Sequence, residues 1–168
     1  MQATKFKVID QASKTDSNLR IYSFLKSHPV GVLTTVDPNG EPHGAVIYYY
    51  VSRDFTVTFT TKRLTKKSDN LRYNNHAMLF VYEKSSQTTA QITGYAKLIT
   101  DPQEAQQSFD NMLRISNETS IAGVPSVSKL YAGNYVAFKV KALQIRMTIF
   151  AKPEPGNYDT FETVDFIA

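Results

Sequence analysis

The chain contains no cysteine among its 168 residues. That excludes disulfides, thiolate nucleophiles, zinc–thiolate sites and iron–sulfur clusters, and it suits a cytoplasmic protein. No apolar run approaches the ~18 residues of a membrane span. Residues 1–8 carry Lys5 and Lys7 but no apolar core, so a secretory signal is not expected. Charge of one sign is also scarce: 19 basic residues stand against 15 acidic ones, a net +4. That excess is too small to imply a nucleic-acid groove, so neither nucleic acid nor membrane is expected as a partner. Internal repeats, low-complexity segments and linkers are missing as well. One domain over residues 1–168 is expected, with a core at about 18–150 and an acidic tail at 153–168.

What is present is an alternation of short apolar runs and turns. A helix is expected from the capping pair Asp16-Ser17 to Lys26, stopped by His28-Pro29. Val30–Val36 and Ala45–Val51 read as two strands joined by the turn Asp37-Pro38-Asn39-Gly40. Phe55–Thr61 is β-branched and aromatic, hence a third strand. Lys66–Asn74 is helical in character. His76–Tyr82 and Ala90–Ile99 are further strands, the second carrying Gly94 where a bulge or a close backbone approach is expected. Asp101-Pro102 opens another helix, with Ala105, Phe109, Met112 and Leu113 facing inward. Asn134–Phe150 is a long strand. Six strands at hairpin spacing with about three helices predict a mainly β fold, a small antiparallel barrel or sandwich. The last residues, with Glu154, Asp159, Glu162 and Asp165, read either as a flap over a neighbouring subunit or as a mobile tail.

The most informative chemistry lies between Phe59 and Leu71. A strand ends in Thr60 and Thr61, a basic loop follows (Lys62, Arg63), and a helix begins near Lys66 and Lys67. The first turn of a helix has unpaired amides and partial positive charge, so lysines there disfavour the helix unless an anion is bound. The alternative is a solvated basic loop. His28, His43 and His76 are far apart and form no metal-spaced pair, which favours structural roles over ligation. Tyr48, Tyr49 and Tyr50 alternate across one strand and cannot all face one site. There is no nucleophile elbow, no glycine-rich phosphate loop and no carboxylate pair suited to acid–base work.

The order of elements resembles the pyridoxamine 5'-phosphate oxidase-like family, in its general stress protein branch. The segments that carry the resemblance are Leu25-Lys-Ser-His-Pro-Val-Gly-Val-Leu-Thr-Thr-Val36, Phe59-Thr-Thr, Thr65-Lys-Lys, Asn70-Leu71 and Ile92-Thr-Gly-Tyr-Ala96. The resemblance implies a six-stranded antiparallel split β-barrel with flanking helices, a homodimer, and flavin mononucleotide (FMN) at the dimer interface. It assigns Thr60 and Thr61 to the flavin ring and ribityl chain, Lys66 and Lys67 to the phosphate, and Ala45, Val46 and Ile47 to a strand edge along the ring. It implies a flavin-dependent oxidoreductase of unassigned substrate. A flavin-binding stress or redox-sensing protein without turnover is the alternative, as is a relative that binds haem or deazaflavin. Two positions depart from the oxidase pattern: Ala45 stands where an arginine is expected and Tyr50 where a lysine is expected, which argues against vitamin B6 oxidase activity. Lys62 and Arg63 are candidates to compensate.

Overall fold

A computed structural model describes residues 11–119, 134–154 and 157–168. The described residues form three helices and eight strands. The first half holds α1 (Gln11–Ser27), β1 (Val30–Val36), β2 (Pro42–Tyr48), β3 (Tyr50–Val51), β4 (Thr56–Lys62) and α2 (Lys66–Tyr73). The second half holds β5 (His76–Glu83), β6 (Thr88–Leu98), α3 (Pro102–Thr119), β7 (Tyr135–Glu154) and β8 (Asn157–Ile167). All pairings are antiparallel, in the order β2-β1-β5-β6-β7-β4-β3, with β8 added to β7. The expected mainly β split barrel is the fold observed.

The strand count differs from the expected six for two physical reasons. First, the run Ala45–Val51 is one length of alternating sequence but two strands in space. The chain leaves β1 at Tyr48 and joins β4 at Tyr50. Tyr49, at the break, turns its side chain into the core, and its N–H donates to the Pro29 carbonyl at 2.9 Å. Its phenol donates to the Leu25 carbonyl at 3.0 Å. Because β2 begins the strand order and β3 ends it, this one bent segment rolls the sheet into a barrel. Second, the acidic tail is not a free end. It forms β8 and pairs with β7 from Gln144 to Glu154, whereas β4 takes the earlier part of the same edge, Tyr135–Lys141. A 20-residue strand is long enough to serve both.

The turn at residues 37–40 forms as expected, with Gly40 at φ 85° and its N–H on the Asp37 carbonyl at 3.0 Å. Gly94 marks a register shift between β6 and β7, where a Cβ would lie 2.1 Å from the Lys141 carbonyl oxygen. The core gathers Leu33, Tyr49, Phe59, Ile92, Phe138 and Ile145, with Ile21 and Leu25 of α1 closing one side. Helix α1 starts at Gln11, earlier than the Asp16-Ser17 cap predicts. In α3 the buried stripe is Ser108, Met112 and Ser116. Ala105, Phe109 and Leu113 are only half-buried. Hydrophobicity alone hides this stripe, because each serine satisfies its hydroxyl on a carbonyl of its own helix, Glu104 at 2.8 Å and Leu113 at 3.1 Å.

Candidate cofactor site at the barrel seam

Antiparallel register fixes the site. Tyr50 pairs with Thr58 and Val51 with Val57. Continued along the same two segments, that register sets Ile47 opposite Thr61 and Tyr48 opposite Thr60. These residues are no longer paired, because β2 has turned to β1 and is the first strand of the sheet order. The result is a seam: the free backbone edge of β2 on one side, the end of β4 on the other. The predicted residues Ala45, Val46, Ile47, Thr60 and Thr61 therefore come together. They do not share one face. Ile47 is core and Val46, pointing outward, is 69% exposed. Thr61 lies on the Phe59 side of β4, whereas Thr60 lies on the opposite side with Thr58.

Helix α2 closes one end of the seam. It packs on β1 and β2. Thr65 is its N-cap, with extended backbone and a side-chain oxygen accepting the Ser68 N–H at 3.4 Å. Asn70 donates its side-chain amide to Thr35 Oγ1 at 3.0 Å, a buried bond that fixes the helix against β1. Lys66 and Lys67 begin the helix but diverge. Lys66 is exposed, and its Nζ lies 3.7 Å from Asp37 Oδ2. Asp37 is itself only 8% exposed and accepts the Asn39 and Glu41 N–H groups at 2.9 and 3.0 Å. Those bonds, the Glu41 amide first, together with Lys66 hold its carboxyl below the usual range against the opposing effect of burial. Lys67 is half-buried with no carboxylate partner among the described residues, and burial lowers its ammonium pKa. A half-buried, unpaired cation at a helix N-terminus is a site for an anion.

The compensating candidates go elsewhere. Arg63 lines a cavity of about 460 Å³ with Leu98, Ile99, Pro102, Ala105 and Tyr135, and Lys62 is exposed at the end of β4. Another cavity, about 320 Å³ between α1, β3 and α3, is lined by Leu25, Pro29, Tyr49, Tyr50, Arg114 and Ile115 and by none of the seven predicted residues. At the seam Ile47, Thr60 and Thr61 are buried, while Val46 on β2 is exposed. The histidines stay apart. His28 Nδ1 is 2.8 Å from the Phe24 carbonyl, His76 meets the Tyr95 ring edge-on, and His43 lies on β2. Among the described residues no cluster of three His, Asp or Glu could hold a metal.

A family model described as pyridoxamine 5'-phosphate oxidase matches residues 20–149. The chain belongs to that family. The match spans the seam, α2 and the barrel strands up to the middle of β7. The chain has no significant match among curated proteins. Among solved structures it is similar to general stress protein 26 from Bacillus anthracis, at 22% identity and TM-score 0.59, over 77% of this chain and 92% of that one. It is also similar to a pyridoxamine 5'-phosphate oxidase-related, FMN-binding protein from Nostoc punctiforme, at 17% identity and TM-score 0.55, over 98% of both chains. An FAD-binding protein from Mesorhizobium loti matches at 17% identity and TM-score 0.60, over 77% of this chain and 91% of that one. At these identities the likeness is one of fold, the pyridoxamine 5'-phosphate oxidase-like split barrel. No helix among the described residues is long and apolar enough to cross a membrane.

A second surface of this family member stands out. The register aligns Val46, Val32 and Phe80 as one row across β2, β1 and β5. All three point outward, at 69%, 39% and 37% exposure. Tyr82 on β5 extends the apolar face and is exposed as well.

Proposed function

We propose that the chain binds FMN in the seam between β2 and β4, at the interface of a homodimer, and acts as a flavin-dependent oxidoreductase. The observation that carries this reading is Lys67: a half-buried ammonium, unpaired among the described residues, in the first turn of α2, which packs on β2, the strand with a free edge. The residues fit the cofactor. The unpaired N–H and C=O groups of β2 suit the ring's N3–H and carbonyls without any charged side chain, and the α2 amides with Lys67 suit the phosphate. Thr60 and Thr61 offer hydroxyls opposite β2. Bound FMN would supply hydride or electron transfer at N5 of its ring. The protein's part is to hold the ring against the β2 edge, neutralise the phosphate and limit water at the seam.

The homodimer reading rests on the Val46–Val32–Phe80 row, which begins on β2 itself. Burying it against a second copy would cover the free edge of β2, as a two-fold interface places the same strand on both sides. The FMN-binding relative from Nostoc punctiforme, alike over nearly the whole length, supports the cofactor assignment. The test is to purify the protein, release any bound small molecule and identify it by mass, then titrate the stripped chain with FMN, riboflavin and FAD. Micromolar or tighter FMN with much weaker riboflavin is expected. No flavin by mass and none on titration would defeat the proposal. Reduction of the loaded protein by a nicotinamide donor separates an oxidoreductase from a flavin-binding protein without turnover.

A further inference from the structure

The cavity of about 320 Å³ between α1, β3 and α3 grades from buried and apolar to exposed and charged. Its floor is made by Leu25, Tyr49 and Val51, all buried. The phenol proton of Tyr49 is already given to the Leu25 carbonyl at 3.0 Å, so the floor presents no free side-chain donor. Pro29 is half-buried and continues the apolar lining. The facing wall is a single stripe of α3. Asn111, Arg114, Ile115 and Glu118 recur at helical spacing, so all four stand on one side of that helix. Lys26, in the last turn of α1, completes the lining. Lys26, Arg114 and Glu118 are exposed, which puts the charges where the cavity meets water.

Two cations meet one carboxylate at this mouth. Glu118 occupies only one nitrogen of Arg114, whose Nη1 donates to the two carboxylate oxygens at 3.1 and 3.4 Å. The N–H groups on Nη2 and Nε have no acceptor among the described residues, and Lys26 has no carboxylate partner among them. Each cation alone has an ordinary role. Lys26 suits the carbonyl end of α1, and an exposed i,i+4 pair contributes little. Neither role requires both to converge on a cavity with an apolar floor. We propose that this cavity binds a small organic acid, its apolar body between α1, β3 and α3 and its carboxylate at the mouth on Arg114 and Lys26. The volume is about twice the ~150 Å³ that accepts a benzene ring, so the body has the size of two fused rings. A single negative charge balances the mouth; a second one would face Glu118, which disfavours a phosphate ester. The inference is separate from the flavin reading, since none of the residues proposed for flavin lines this cavity.

The experiment titrates the full-length chain, as purified, with 2-naphthoate, 2-naphthamide and 2-naphthyl phosphate by calorimetry, with and without added FMN. 2-Naphthoate is expected to bind at roughly 0.1–1 mM, in keeping with its size, and about tenfold tighter than the neutral amide. The phosphate ester should bind more weakly than the acid. Lys26→Gln combined with Arg114→Gln should bring the acid down to the affinity of the amide. Both changes lie on exposed side chains and should leave the melting temperature within about 2 °C of the parent. Ile115→Trp should fill the cavity and remove binding of acid and amide alike. If that variant does not fold, the Lys26 and Arg114 pair decides. Equal binding of acid and amide, a tighter phosphate ester, no binding at all, or acid binding unchanged in the double variant would each overturn the proposal. So would displacement of the acid by FMN, which would place it in the seam. A chain that binds 2-naphthoate in this pattern but no flavin would keep this site and remove the flavin reading.

Discussion

Lys66 and Lys67 are neighbours in sequence and about 100° apart around a helix, so they cannot do the same thing. The doublet is legible in the sequence as a candidate anion site, but the different surroundings of the two lysines are not. Asp37, twenty-nine positions away along the chain, takes Lys66 through the turn between β1 and β2. Lys67→Ala is expected to raise the FMN dissociation constant about 10- to 100-fold with little change for riboflavin, and Lys66→Ala to have a smaller effect. Equal effects of the two lysines in a titration would contradict the observed geometry. Gly94 is a sharper case. A methyl group there would sit 2.1 Å from a backbone oxygen, which no side-chain rotation can relieve. Gly94→Ala should cost about 3 kcal/mol or more, read from the urea midpoint, or abolish soluble expression. Glu83 supplies a pH test. It accepts the Ser85 and Ser86 N–H groups at 2.8 and 2.6 Å, and the Ser86 hydroxyl first, then these amides and the Ser85 hydroxyl, hold its carboxyl at about 2 against an ordinary 4.5. Its folded pKa is depressed, so its contribution is complete above pH 4.5 and is lost as pH falls towards 2. Glu83→Gln should flatten that limb of the melting-temperature profile; an unchanged acid limb would show that the turn bonds do not act on stability.

At the scale of elements, the break between β2 and β3 makes the site. Alternation from Ala45 to Val51 shows a strand and which residues face in, and Tyr49 is core as that pattern requires. It does not show that the strand changes partners at Tyr49, because both halves keep the same period and only the pairing differs. Tyr49 holds the break through one backbone bond and one phenol bond, and burial pushes its phenol pKa well up, so it serves as a neutral donor. Tyr49→Phe should keep the fold and lose about 1 kcal/mol, read from chemical denaturation, as the Leu25 carbonyl loses its donor in a buried setting. No loss would mean that the backbone bond alone fixes the seam. The tail shows the same limit from the other side. Its acidic residues suit a flap or a mobile end, yet β8 pairs with β7 because the far half of that long strand offers an otherwise unpaired edge.

For the whole molecule, the outward row Val46–Val32–Phe80 is continuous through β2 with the proposed cofactor seam. On that proposal, assembly and ligand binding are linked. Phe80→Lys is expected to give a folded monomer by sedimentation, with weaker FMN than the parent. A loaded monomer of undiminished affinity would show that one chain suffices for the site. The row could not be read from sequence, since Val46, Val32 and Phe80 lie in three strands and meet only through register.

The sequence by itself determined the class of fold, the turn at residues 37–40, the bulge at Gly94 and the helix at Lys66. All of these follow from contacts within a few residues of one another, where propensity and spacing act directly. Tertiary structure alone decided which lysine is left without a carboxylate partner among the described residues, where the strand changes partners and what the tail pairs with. Each of these depends on pairing between distant segments, and a period-2 pattern is the same whichever neighbour a strand adopts.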